Sequence, residues 1–143
     1  MTILDANLLL YAYNLDAPQH GAAARWLAEL IESNEPIALP WVTIWAFLRI
    51  STNPRIWERP RPAKEAFGII GEWLTQPGIV LLQPGPRHWE LLESLVLAHN
   101  ATGPLTTDAV LAALAIENGA LLASTDQDFS RFRGLRWINP LRA

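Results

Sequence analysis

Short apolar runs alternate with longer stretches of helical spacing along the whole chain. Thr2 to Leu4 reads as a strand closed by Asp5, and Ala6 to Tyr13 as the start of a helix with Asp5 or Asn7 near its N-terminus. After a turn at Asn14 to Pro18, helical periodicity runs from Ala17 or Pro18 to about Ser33, with Ala22, Trp26, Leu27, Leu30 and Ile31 on one face. Ile37 to Leu39 forms a second strand, closed by Pro40. Val42 to Ile50 is apolar almost all round, which predicts a buried helix or one at an interface. Ser51 to Pro62, with three prolines and three arginines, reads as a loop and a candidate functional rim. Pro62 to Gln76 predicts a helix with Pro62 in its first turn and Phe67, Ile70 and Leu74 buried. Pro77-Gly78 stops it before a third strand, Ile79 to Leu82. A helix over Pro86 to Asn100 turns Trp89, Leu92, Leu95 and Val96 inward. Thr106 or Thr107 caps the next helix, which runs to Asn118 and ends at Gly119. Ala120 to Ala123 is a fourth strand, Asp126 to Phe132 a single helical turn, and Leu135 to Ile138 a last short strand.

Strands that alternate with helices in this order predict an α/β domain: a central parallel sheet of four to five strands flanked by helices, an α/β/α sandwich. The length of 143 residues fits a single domain with a sizeable core, and 50% hydrophobic content excludes a disordered chain. No apolar run approaches the roughly 18 residues of a membrane span, and the N-terminus lacks the pattern of a signal peptide. The absence of cysteine removes disulfides and thiolate zinc chemistry and agrees with a cytoplasmic location, which is the expectation. A net charge of −3 argues against a dedicated nucleic-acid binder. The basic residues are nonetheless clustered: Arg49, Arg55, Arg59 and Arg61 crowd one segment, and Arg131, Arg133, Arg136 and Arg142 crowd the tail. Arginine forks match phosphates, so Arg49, Arg55 and Arg59 are candidates for holding phosphate groups. Trp26 and Trp73 read as core; Trp41, Trp45 and Trp57, close together, divide evenly between core and partner contact.

The chemistry gathers at the acids. Four of the five aspartates lie in three stretches, at Asp5, at Asp108 and at Asp126 with Asp128. Asp5 and the Asp126/Asp128 pair follow short apolar runs, the places where α/β sheets put their chemistry. Taken singly, each has a structural explanation: a helix cap for Asp5, the first helical turn for Asp108, turn formation for Asp126 or Asp128. Together, several carboxylates in one cleft repel one another unless a cation neutralises them, which points to a divalent metal. His20, His88 and His99 read as structural. No GxSxG, Walker-type loop or GxGxxG occurs.

The segments Leu4-Asp5-Ala6-Asn7-Leu8-Leu9-Leu10-Tyr11-Ala12, Leu39-Pro40-Trp41 through Phe47-Leu48-Arg49-Ile50-Ser51-Thr52-Asn53-Pro54, Asp108-Ala109 through Ala115, and Leu121 through Phe129 resemble, in order, the four motifs of PIN-domain ribonucleases, specifically the VapC-type toxins of bacterial toxin–antitoxin pairs. Asn139-Pro140 is similar to the usual ending of that family. The resemblance implies a PIN-like fold and a metal-dependent endoribonuclease that cleaves structured or single-stranded RNA, whether tRNA, rRNA or mRNA. It implies Asp5, Asp108 and Asp126 as catalytic residues and Mg²⁺ ligands, with Mn²⁺ a possible substitute. Asp128, Asn7 and Thr125 take auxiliary roles. It further implies a cognate VapB-type antitoxin and a homodimer, with no membrane partner; the apolar stretch Trp41 to Ile50 suits a helix laid in a groove. The chain departs from the family at Ala46, where the second motif carries a glutamate. That leaves a second reading, a catalytically weakened PIN-fold binding module that retains antitoxin binding. A phosphatase on another α/β fold would usually show Asp-x-Asp after the first strand, where this chain has Asp5-Ala6-Asn7.

Overall fold

The computed structural model describes residues 1–142. Five parallel strands form one sheet: β1 (Thr2–Leu4), β2 (Ile37–Pro40), β3 (Ile79–Leu82), β4 (Leu121–Ala123) and β5 (Arg136–Ile138). Six helices connect them: α1 (Ala6–Ala12), α2 (His20–Glu32), α3 (Trp41–Ser51), α4 (Ala63–Leu74), α5 (His88–His99) and α6 (Leu105–Glu117), with a 3₁₀ turn at Gln127–Arg131. The strand order is β3-β2-β1-β4-β5. The chain therefore winds outward from β1 to β3, then crosses back to add β4 and β5 on the other side. The reversal falls between β1 and β4, whose carboxyl ends open the crevice where such sheets bind ligands.

Alternation along each strand separates two cores. Ile3, Ala38 and Leu122 point to the layer of α5 and α6, while Leu4, Ile37, Leu39 and Ala123 point to the layer of α1 to α4. Covering both faces explains why these strands are uninterrupted apolar runs. In α6, Ala109, Leu111, Ala112, Ala113, Leu114 and Ala115 are all buried. Its small side chains let it lie close to the sheet and hold Asp108, in its first turn, near the strand ends.

The element order matches the sequence reading, but several helix faces do not. α4 buries Ala66, Ile70 and Trp73, leaving Phe67 65% and Leu74 40% exposed. Both stripes have helical spacing, and the Trp73 indole, which donates to the Tyr13 hydroxyl at 2.8 Å, goes inside because its N–H finds a partner there. In α5, Leu95 is buried while Trp89 faces outward at 76% exposure. In α2 the buried residues are Ala23 and Leu27; Ala22 and Ile31 are exposed and Trp26 is half-buried. Pro104, not Thr106 or Thr107, occupies the cap position of α6, so both threonines lie inside the first turn. Trp41 and Trp45 are exposed on α3 with ring centroids 6.2 Å apart.

One buried contact ties α3 to the site. The Thr43 hydroxyl, 1% exposed, donates to the Leu4 carbonyl at 2.8 Å, one residue before Asp5. Thr43→Val leaves a methyl group against that carbonyl. We expect a loss of about 1–3 kcal/mol, the cost of a buried unsatisfied acceptor, measured as a lower urea midpoint.

Candidate metal centre

Leu4 of β1 lies beside Ala123 of β4, so the next residues on each strand, Asp5 and Ser124, emerge together. Asp5 caps α1: its Oδ1 accepts the Ala6 N–H at 2.8 Å. Its Oδ2 accepts the Ser124 hydroxyl at 2.6 Å and the Asn7 side-chain amide at 3.2 Å. The bland explanation of Asp5, a helix cap, is thus correct as far as it goes. Each carboxylate oxygen has two acceptor sites, so Oδ1 keeps one for a further ligand.

Ser124 is the hub of this crevice. Its hydroxyl donates to Asp5 and accepts from Asn7 Nδ2 at 3.0 Å and from the Asp126 N–H at 3.0 Å. That uses its single proton and both lone pairs, and the residue is 0% exposed. Asn7 Oδ1 accepts the Thr125 backbone N–H at 3.4 Å, so Thr125 joins the network through its main chain. Asp126 caps the 3₁₀ turn, accepting the Asp128 N–H at 2.9 Å. The sequence reading gave Ser124 no role. Its signal was a hydroxyl residue directly after an apolar strand and two positions before an aspartate, a pattern that ordinary turns also show. Ser124→Ala should keep the fold but lower activity 10–100-fold, the usual effect of losing a group that orients ligand residues. Circular dichroism alongside the activity assay checks this.

Carboxylate oxygens of Asp108, Asp126 and Asp128 lie within 4.8 Å of one another. Asp108 and Asp126 are half-buried and Asp128 is exposed. Three hard oxygen donors at this spacing suit a divalent cation such as Mg²⁺ or Ca²⁺. The electrostatics agree. Burial first, then the charges of Asp126, Asp5 and Asp128, push Asp108 from 3.8 up to about 6, and Arg131 partly opposes them. Asp5 is also raised, chiefly by burial and further by Asp126, against the Ser124 and Ala6 hydrogen bonds. Arg131 pairs with Asp128 at 3.3 Å.

Among the described residues, no histidine joins this cluster. His20 Nδ1 lies 3.1 Å from the Tyr11 carbonyl, and His99 packs edge-on against Phe132. Of the arginines, Arg59 lines a cavity at the ends of α1 and α3 together with Arg61, whereas Arg49 and Arg55 are exposed on α3 and on the following loop. Ala46 lies half-buried on α3 and offers no carboxylate.

The chain belongs to the PIN-domain family, whose model matches residues 2–135. Among curated relatives, Ribonuclease VapC33 of Mycobacterium tuberculosis is 41% identical over 142 residues, covering 99% of each chain. Ribonuclease VapC31 of the same organism is 41% identical over 140 residues, covering 98% of this chain and 99% of the relative. The fold is shared with VapC20 of Mycobacterium tuberculosis, described as a toxin cleaving the sarcin-ricin loop: TM-score 0.70, 17% identity, 95% of this chain and 99% of that one. It is also shared with VapBC-1 of nontypeable Haemophilus influenzae, at TM-score 0.72 and 15% identity over 99% and 98% of the chains.

Proposed function

We propose that this chain, as a single PIN domain, is a toxin of the VapC type, a Mg²⁺-dependent endoribonuclease. The observation that carries the reading is the convergence of Asp108, Asp126 and Asp128 within 4.8 Å at the switch point. Identity of 41% to a relative named a ribonuclease supports it. Asp108, Asp126 and Asp128 would hold the cation, with Asp5 offering the free acceptor site of Oδ1. A bound Mg²⁺ supplies Lewis-acid stabilisation of phosphoryl charge. The chain's own residues do the rest. Asp5 and Asp108, both held above the ordinary carboxylate range by burial and by their acidic neighbours, are the groups whose charged form a bound cation would favour most. Ser124 and Asn7 fix Asp5 and Asp126 in place, and Arg49, Arg55 and Arg59 steer the RNA backbone toward the cleft.

A VapB-type antitoxin is the proposed partner, with the exposed Trp41–Trp45 pair a suitable anchor, and the toxin is proposed to be a homodimer in the cytoplasm. Ala46 favours the second reading, a binding module with weakened catalysis. The two separate in one assay: purified, antitoxin-free protein is given total cellular RNA with Mg²⁺, with Mn²⁺ or with EDTA. Discrete fragments that need the cation support the nuclease. Intact RNA under every cation, with the protein folded, would move the conclusion to the binding module.

A further inference from the structure

We propose that the cavity at the ends of α1 and α3 is a nucleotide-binding subsite, one that seats an unstacked base of the RNA with its phosphate against Arg59. The cavity measures about 270 Å³ and lies next to the Ser51–Pro62 loop. That is close to the lower end of the roughly 300–1,000 Å³ of small-molecule clefts, so it takes one planar group and not a helix. Three aromatic side chains line it, of which Phe47 is buried. The rings of Tyr13 and Phe47 meet edge to face at 6.2 Å, and Trp57 lines the cavity with its indole N–H already committed to the Ile50 carbonyl at 2.7 Å. Trp57 therefore offers its ring for stacking.

Ser51 also lines the cavity, but its hydroxyl oxygen is closed off from it and makes no hydrogen bond among the described residues, so the polar contacts open to a ligand come from the rim. The site is preorganised, because the Arg61 N–H returns to the Ser51 carbonyl at 2.9 Å and the Arg61 guanidinium donates to the Tyr13 carbonyl. Arg59 makes no salt bridge among the described residues and stays available for phosphate. On the far lip, Asn14 and Asp16 add polar edges for the base or ribose. Tyr13 follows Asp5 by eight residues, roughly 12 Å along a helix. The cavity shares no lining residue with the acidic cluster, so the nucleotide it holds is not the one being cut. Stacking on aromatic rings with Watson–Crick edges exposed is how single-stranded RNA is read.

The inference rests on the ribonuclease reading for its polymer context, but its test does not. The ¹⁵N-labelled full chain is titrated in EDTA with AMP, CMP, GMP and UMP and, as a control, with inorganic phosphate. The readout is the Trp57 indole signal, assigned by its loss in Trp57→Phe. At least one nucleotide should shift that signal saturably, with a Kd on the order of 1 mM, where phosphate alone does not. Arg59→Ala, at an exposed position, should weaken this binding on the order of tenfold, the worth of one charge-assisted hydrogen bond. No saturable shift with any nucleotide, or unchanged binding in Arg59→Ala, overturns the proposal. So does release of a co-expressed antitoxin by Ser51→Leu in the absence of nucleotide shifts, which would make the cavity a protein-docking site. Nucleotide binding without RNA cleavage would sink the nuclease reading and leave this one standing; cleavage without nucleotide binding would do the reverse.

Discussion

Asp108→Asn and Asp126→Asn are each expected to lower RNA cleavage by at least on the order of 10²–10³-fold, the range for removing one preorganised charged or polar group from a reacting centre. Both lie inside the three-carboxylate cluster, and Asp108 also carries a pKa of about 6. Asp5→Asn should cost a similar factor for a different reason. Its Oδ2 anchors Ser124 and Asn7, so an amide nitrogen placed there would meet other donors and disturb Asp126 through the shared Ser124 hydroxyl. Asp128→Asn should cost less, on the order of tenfold, because Asp128 is exposed and already paired with Arg131. Single-turnover cleavage measured beside Mn²⁺ binding separates these cases. Asp108→Asn and Asp126→Asn should lose affinity for the cation along with rate, whereas Asp5→Asn should lose rate more than affinity. Full activity in Asp108→Asn would overturn the proposed site.

The second large effect is on stability, and it changes sign with metal. Asp108 is raised from 3.8 to about 6, chiefly by burial and then by its acidic neighbours. Between about pH 4 and pH 6 the folded chain keeps a proton that the unfolded chain has released. Stability from this group therefore falls as pH rises through that window and stays low above it. In EDTA at pH 7, Asp108→Asn should melt at a higher temperature than the wild type. The gap should close as the pH falls toward 4, where both carry a neutral side chain. Added cation reverses the order: at a hundredfold excess over Kd, binding stabilises the wild type by about 2.7 kcal/mol, and the variant gains much less. Thermal melts across pH, with and without Mn²⁺, check both halves. A variant that melts below the wild type in EDTA at pH 7 would show that the cluster is not electrostatically strained.

Element order and the sheet's parallel character were legible in the sequence because they rest on local signals. Short apolar runs between turn residues mark strands buried on both faces, and Pro and Gly punctuate the helices. Asp5, Asp108, Asp126 and Asp128 stood out for the same reason, as charges beside buried segments. What the sequence could not decide was which of two equally periodic stripes a helix buries. The stripe of Phe67, Ile70 and Leu74 was as periodic as that of Ala66, Ile70 and Trp73; the reading of Trp73 as core holds, and it is the stripe containing it, with its indole bonded to Tyr13, that goes inside. It could not identify Ser124 as the hub joining Asp5 to Asp126, since 119 residues separate Ser124 from Asp5 and their contact exists only once β1 lies beside β4. Nor could it foresee that a serine at the end of α3 would be buried without a partner beside Trp57 and Arg59. Local chemistry writes the elements and the acids into the chain. The meeting of side chains far apart in sequence, and the burial that shifts their protonation, belongs to the tertiary structure alone.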